Sequence, residues 1–131
     1  MRLEDMITAD ALEKEVTLPG AAARHDVLWM RDAVGESPLS RDEALELLAL
    51  GEVIARKAVY GRQLAVRSAR AAGASWSRIG AALGISKQAA WEAHGRWIDD
   101  QAEQNRESGY EGLDEDQTAA ARALAGDVEE E

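Results

Sequence analysis

Residues 75–97 read SWSRIGAALGISKQAAWEAHGRW, and the reading of this stretch decides the fold. Ser75 carries the short side-chain oxygen that caps a helix start, and Trp76, Ile79 and Leu83 follow at spacings of three and four. Gly84 then supplies the residue type that tolerates the left-handed conformation just past a helix end. Ile85 is expected to bury the turn, and Ser86 to cap a second helix with Ala90, Ala93 and Trp97 along one side. Gly80, Ala90 and Ala93 are small where two steeply crossing helices need to approach. Lys87, Gln88, Trp91, Glu92 and Gly95 are left on the outward side of the second helix. The stretch predicts two short helices, a tight turn, a packed back and a polar front.

Charge is distributed unevenly around it. The chain of 131 residues has a net charge of -10. Residues 1–55 hold 5 basic and 12 acidic side chains, and residues 98–131 hold 2 basic and 12 acidic ones. Between them Arg56, Lys57, Arg62, Arg67, Arg70, Arg78, Lys87 and Arg96 face Glu92 alone, a balance of +7. A basic island coinciding with the helix pair suits a phosphate-binding surface.

Moving outward toward the N-terminus, a helix is expected to end near Gly73. Ser40 and Glu43 form a capping-box pattern that opens it, the longest helical pattern in the chain. Leu47, Leu50, Ile54, Ala58, Gly61, Ala65 and Ala69 trace its stripe, broadened by Leu45, Leu48, Val53, Val59, Leu64 and Val66. Gly51 and Gly61 each cost about 1 kcal/mol relative to alanine, so a bend or break near one of them, or the close approach of another helix, is expected. Before it, residues 21–34 predict a helix with Val27, Met30 and Val34 on its apolar stripe and Gly35 closing it. Trp29 lies off that stripe and is expected to pack against a neighbour. Residues 36–39 read as a turn. A weak first helix over residues 9–16 is capped by Thr8, with Met6, Leu12 and Val16 as its thin stripe, and Pro19-Gly20 ends it or opens the next element.

Beyond Trp97 the second helix is expected to continue a turn or two, through Gln101, until residues 108–112 break the pattern. The remainder is acidic and poor in large apolar residues, which predicts a solvated mobile tail, although residues 116–125 have helix propensity. The fold class predicted is all-α, divided into an N-terminal helical region for packing or dimerisation (1–60), a three-helix unit (61–104) and an acidic tail (105–131).

The segment resembles the helix-turn-helix of DNA-binding proteins, above all the sigma-factor region 4 type found in small actinobacterial regulators. Ile79, Gly80, Leu83, Gly84, Ile85, Ser86, Ala90 and Ala93 carry the resemblance, which covers roughly a quarter of the chain. Gly80 departs from it, because that place in the family is more often alanine. The resemblance implies that residues 86–97 form a recognition helix that enters the major groove. Base contacts then fall to Lys87, Gln88, Trp91 and Glu92, with glutamine suited to adenine, lysine to guanine and a carboxylate to cytosine. Glu92 is also placed to pair with Arg96, and Trp91 either meets a thymine methyl or sugar or is covered by another part of the chain. Phosphate contacts fall to Ser77, Arg78, Ser86, Arg62, Arg67, Arg70 and Arg96. Trp76 and Trp97 are expected in the core, and His94 beside it in a structural role.

These readings lead to a sequence-specific regulator of double-stranded DNA, a homodimer joined through residues 40–60, with no cofactor and no metal. A protein-interaction adaptor that meets RNA polymerase or a sigma factor through its acidic ends is the alternative. In a third idea the acidic tail folds over the basic centre and weakens non-specific binding. There is no cysteine, His25 and His94 lack a partner at ligand spacing, and no nucleophile–base pair or phosphate-cradling glycine loop occurs, so an enzyme is not expected. No apolar run reaches the roughly 18 residues of a membrane span, and the first residues lack a signal-peptide core. A cytoplasmic, nucleoid-associated protein is expected.

Overall fold

The computed structural model describes residues 7–35 and 37–130, so the expectations placed on Met6, Glu36 and Glu131 lie outside the described residues. These residues form six α-helices, one 3-10 turn and no strand. The helices are α1 (Ala9–Glu15), α2 (Leu18–Val34), α3 (Arg41–Ala71), α4 (Trp76–Leu83), α5 (Lys87–Ser108) and α6 (Glu115–Ala125), followed by the turn Val128–Glu130. Among the described residues no helix is long and apolar enough to cross a membrane. The chain divides into two compact units at Gly61 and Arg62.

In the first unit the caps work as the sequence suggests. Thr8 accepts from the Ala11 amide, Thr17 accepts from the Gly20 amide, and Gly35 ends α2 in the left-handed region. Pro19-Gly20 therefore opens α2, which begins three residues before the expected start because proline fits the first turn, where no amide partner is needed. Ser40 and Glu43 close the capping box reciprocally, at 3.1 and 3.0 Å. The face of α2 is a correction. Ala21 and Leu28 are the buried residues, against Leu50 and Val53 of α3, whereas Val27, Trp29, Met30 and Val34 are each more than half exposed. Beside the buried Ala21–Leu28 side, the Arg24 and Arg31 guanidiniums bind Glu46 and Glu43 of α3. Trp29 stacks on His25 of its own helix at 6.4 Å.

Helix α3 runs unbroken for 31 residues, past Gly51 and Gly61. No Cβ position at Gly61 is crowded, so nothing at that glycine forces a bend. Its expected stripe is only partly buried: Leu50, Val53 and Val66 face the cores, while Leu48 is 72 % exposed.

The second unit has its own core, formed by Val66, Trp76, Ile79, Ala90, Ile98, Ala121, Ala125 and Val128. Helix α5 extends to Ser108, two turns beyond Gln101, since Ile98 and Ala102 continue its buried stripe. The chain then returns. Gly109 and Gly112 take left-handed backbone, the Asn105 side-chain Nδ2 donates to the Glu111 carbonyl, and the Leu113 backbone amide donates to the Gln101 carbonyl. A Cβ at Gly112 would overlap that Gln101 oxygen, so only glycine lets the loop lie this close to α5. Asp114 and Gln117 cap α6 reciprocally, and α6 packs against α5. The predicted solvated tail over residues 105–131 is thus corrected: the end of α5, α6 and the final turn belong to the second unit, with Ala121, Ala125 and Val128 inside its core.

Candidate nucleic-acid interface

The α4–α5 pair is built from its turn outward. Ser75 caps α4 by accepting from the Arg78 amide, and Gly84 closes it at φ +73°, where the Gly84 and Ile85 amides reach the Ala81 and Gly80 carbonyls. Ser86 caps α5 by accepting from the Ala89 amide at 3.0 Å. The turn rides on Gly80, where a Cβ would stand 2.8 Å from the Ile85 carbonyl oxygen and 3.0 Å from the Lys87 nitrogen. The expectation that Ile85 buries the turn is corrected, for its side chain is 43 % exposed. Close backbone contact at Gly80 holds the turn instead.

Behind α5 the packing is aromatic. Trp76 is fully buried, and its indole N–H donates to the Ala125 carbonyl at 2.7 Å. His94, 1 % exposed, lies 5.6 Å from the Trp76 ring and 5.3 Å from that of Trp97, and its Nδ1–H donates to Gln63 Oε1. Burial first, then the charges of Arg67 and Arg70, hold its pKa below the ordinary value, so the ring is neutral at neutral pH.

On the outward side Lys87, Gln88 and Glu92 are exposed at the start of α5. Gln88 Nε2 donates to Glu92 Oε1 at 2.9 Å, and the expected Glu92–Arg96 ion pair does not form. Trp91 is half-buried: its indole N–H donates to the Gly126 carbonyl at 2.8 Å and its ring packs on the core. Of its two expected alternatives, cover by another part of the chain is the one observed.

The candidate phosphate residues separate into two groups. Ser77, Arg78, Ser86, Arg62 and Arg96 are exposed. Arg70 is turned into its own unit, donating to the Leu124 and Ala74 carbonyls and lying 5.1 Å over the Trp76 ring. Arg67, half-buried, lies 5.7 Å over Trp97. These two cations support the aromatic packing. Sequence reasoning missed the part played by Leu124, Ala125 and Gly126, whose carbonyls receive Arg70, Trp76 and Trp91. Backbone acceptors leave no residue-type signature, but the D-x-x-Q cap at Asp114 marked the helix that delivers them.

No protein-family model matches this chain, and no curated protein or solved structure is significantly similar to it.

Proposed function

We propose that this chain is a sequence-specific DNA-binding regulator, in which α4, the turn and α5 act as a helix-turn-helix and α5 enters the major groove. One observation carries the reading: α5 has an aromatic, packed back and a hydrogen-bonding, exposed front. His94, Ala90 and Ile98 are sealed, while Gln88, Glu92 and Arg96 are open to a partner. A helix held this firmly from behind presents its front side chains at defined positions, which base readout requires. Arg62, Arg78 and Arg96, with Ser77 and Ser86, then meet phosphates; Arg67 and Arg70 brace the unit.

Binding of the full chain to a randomised pool of duplex DNA, across a salt series, tests this. Affinity is expected to fall with a log–log slope of about -0.9 per phosphate neutralised. Arg78→Ala is expected to weaken all sequences alike and reduce the slope by about one, read by fluorescence anisotropy. Flat salt dependence and no preferred sequence would remove the proposal.

The exposed apolar residues of α2 favour a protein contact as well. Val27, Met30 and Val34 share one side of that helix and lie open, and a homodimer through this unit would double the DNA length read. Sedimentation equilibrium at twice 14.2 kDa supports it. A monomer that instead retains RNA polymerase or a sigma factor would favour the adaptor reading.

A further inference from the structure

The Gln88–Glu92 contact says which bases the front of α5 suits. A primary amide has two N–H donors and one carbonyl acceptor. Glu92 Oε1 takes one of those donors at 2.9 Å, one helical turn further along α5. That contact leaves, among the described residues, the Gln88 carbonyl oxygen, its second N–H and the remaining lone pairs of the Glu92 carboxylate to meet a partner. Among the described residues no cation pairs with that carboxylate. The edge is therefore rich in acceptors and short of donors.

In the major groove guanine shows two acceptors and thymine one acceptor and a methyl. Adenine and cytosine each show an exocyclic amino donor. Resting on the DNA-reading proposal above, we infer that Gln88 and Glu92 form a preset acceptor edge that selects an exocyclic amino group, adenine N6 or cytosine N4. Glu92 is the positioning residue: it holds the Gln88 amide so that its oxygen points toward the base. Guanine or thymine at the same place sets its oxygen against the Gln88 carbonyl and the Glu92 carboxylate. It has only the second Gln88 N–H to accept from, fewer hydrogen bonds than an amino group makes there. A carboxylate also repels the phosphates it approaches, so its presence lowers affinity for every sequence. Discrimination is what it contributes in return.

The test uses the full chain as wild type, Gln88→Ala, Glu92→Ala and Glu92→Gln, with circular dichroism confirming that each folds. Selection from a randomised duplex pool first identifies the base position whose preference Gln88→Ala erases. Competition at that position then compares adenine, cytosine, guanine, thymine and purine, the last being adenine without its amino group. The wild type is expected to favour adenine or cytosine over guanine and thymine by roughly fivefold to a hundredfold. Loss of binding to purine identifies adenine N6, and preference for cytosine identifies N4. Glu92→Ala is expected to bring the ratio close to one while tightening binding to every sequence. Glu92→Gln, whose carbonyl still accepts from Gln88, is expected to keep the ratio. The inference is overturned alone by a guanine or thymine preference at that position. It is likewise overturned if Gln88→Ala alters no position, if Glu92→Ala keeps the ratio, or if Glu92→Gln loses it. A wild type that binds no duplex, or all equally, overturns the DNA-reading proposal and this one together.

Discussion

A methyl group on Gly80 would press on the backbone of residues 85–87, and backbone cannot rotate away as a side-chain tip can. Gly80→Ala gains about 1 kcal/mol of helix propensity, yet overpacking against fixed atoms costs about 1–3 kcal/mol. The expected outcome is a net loss of stability, measured by urea denaturation. His94 gives the second expectation at this scale. Its pKa is lowered in the folded chain by burial and by Arg67 and Arg70, so the unfolded chain binds the proton more readily. Stability from this group is complete above the unfolded value of about 6.5 and is lost as pH falls below it. Thermal melts between pH 7.5 and 5 are expected to show a falling Tm, with a smaller fall in His94→Gln. The inward position of Trp76 and the caps at Ser75 and Ser86 were legible in the sequence because spacing and residue type specify them locally. The Gly126 and Leu124 carbonyls that receive Trp91 and Arg70 were not, since both lie more than thirty positions away in the chain.

Among the elements, α2 and α6 teach the limits of periodicity. Helix α2 carries two stripes at helical spacing, Ala21–Leu28 and Val27–Met30–Val34, and the more hydrophobic one is the one left open. The buried stripe is the one flanked by two ion pairs to α3, a feature that hydrophobic spacing does not encode. Helix α6 was legible as helix propensity but not as core, because Ala121 and Ala125 are small and sit among carboxylates. Its burial depends on the glycine return at residues 109 and 112. This changes what a truncation reports. Removing residues 113–131 strips Val128, Ala121 and Ala125 from the core and leaves the buried Trp76 N–H without its acceptor. An equilibrium loss of at least about 3 kcal/mol is expected, read by denaturation and by a red shift in tryptophan emission. Tighter non-specific DNA binding by a fully folded truncated chain would contradict that packing.

At the scale of the whole molecule, two cores share one chain. Leu28, Leu50 and Val53 anchor the first, and Trp76, Ile79 and Ile98 the second. Leu28→Ala is expected to cost about 2–5 kcal/mol, seen as faster amide exchange in α2 while protection in α4 and α5 persists. Uniform loss of protection would mean that the units fold as one. The total of -10 is shared evenly, -5 in each unit, so the open cations are a local feature. Arg56 is occupied by Asp10, Glu13 and Glu52 in the first unit, leaving the open cations Arg62, Arg78 and Arg96 in the second. Trp91 lies at the outer edge of α5 and also seats the Gly126 carbonyl. The protein thus carries its own optical gauge: any event that lifts the C-terminal segment from that indole alters the light it emits, with no dye attached, and Trp91→Phe supplies the blank.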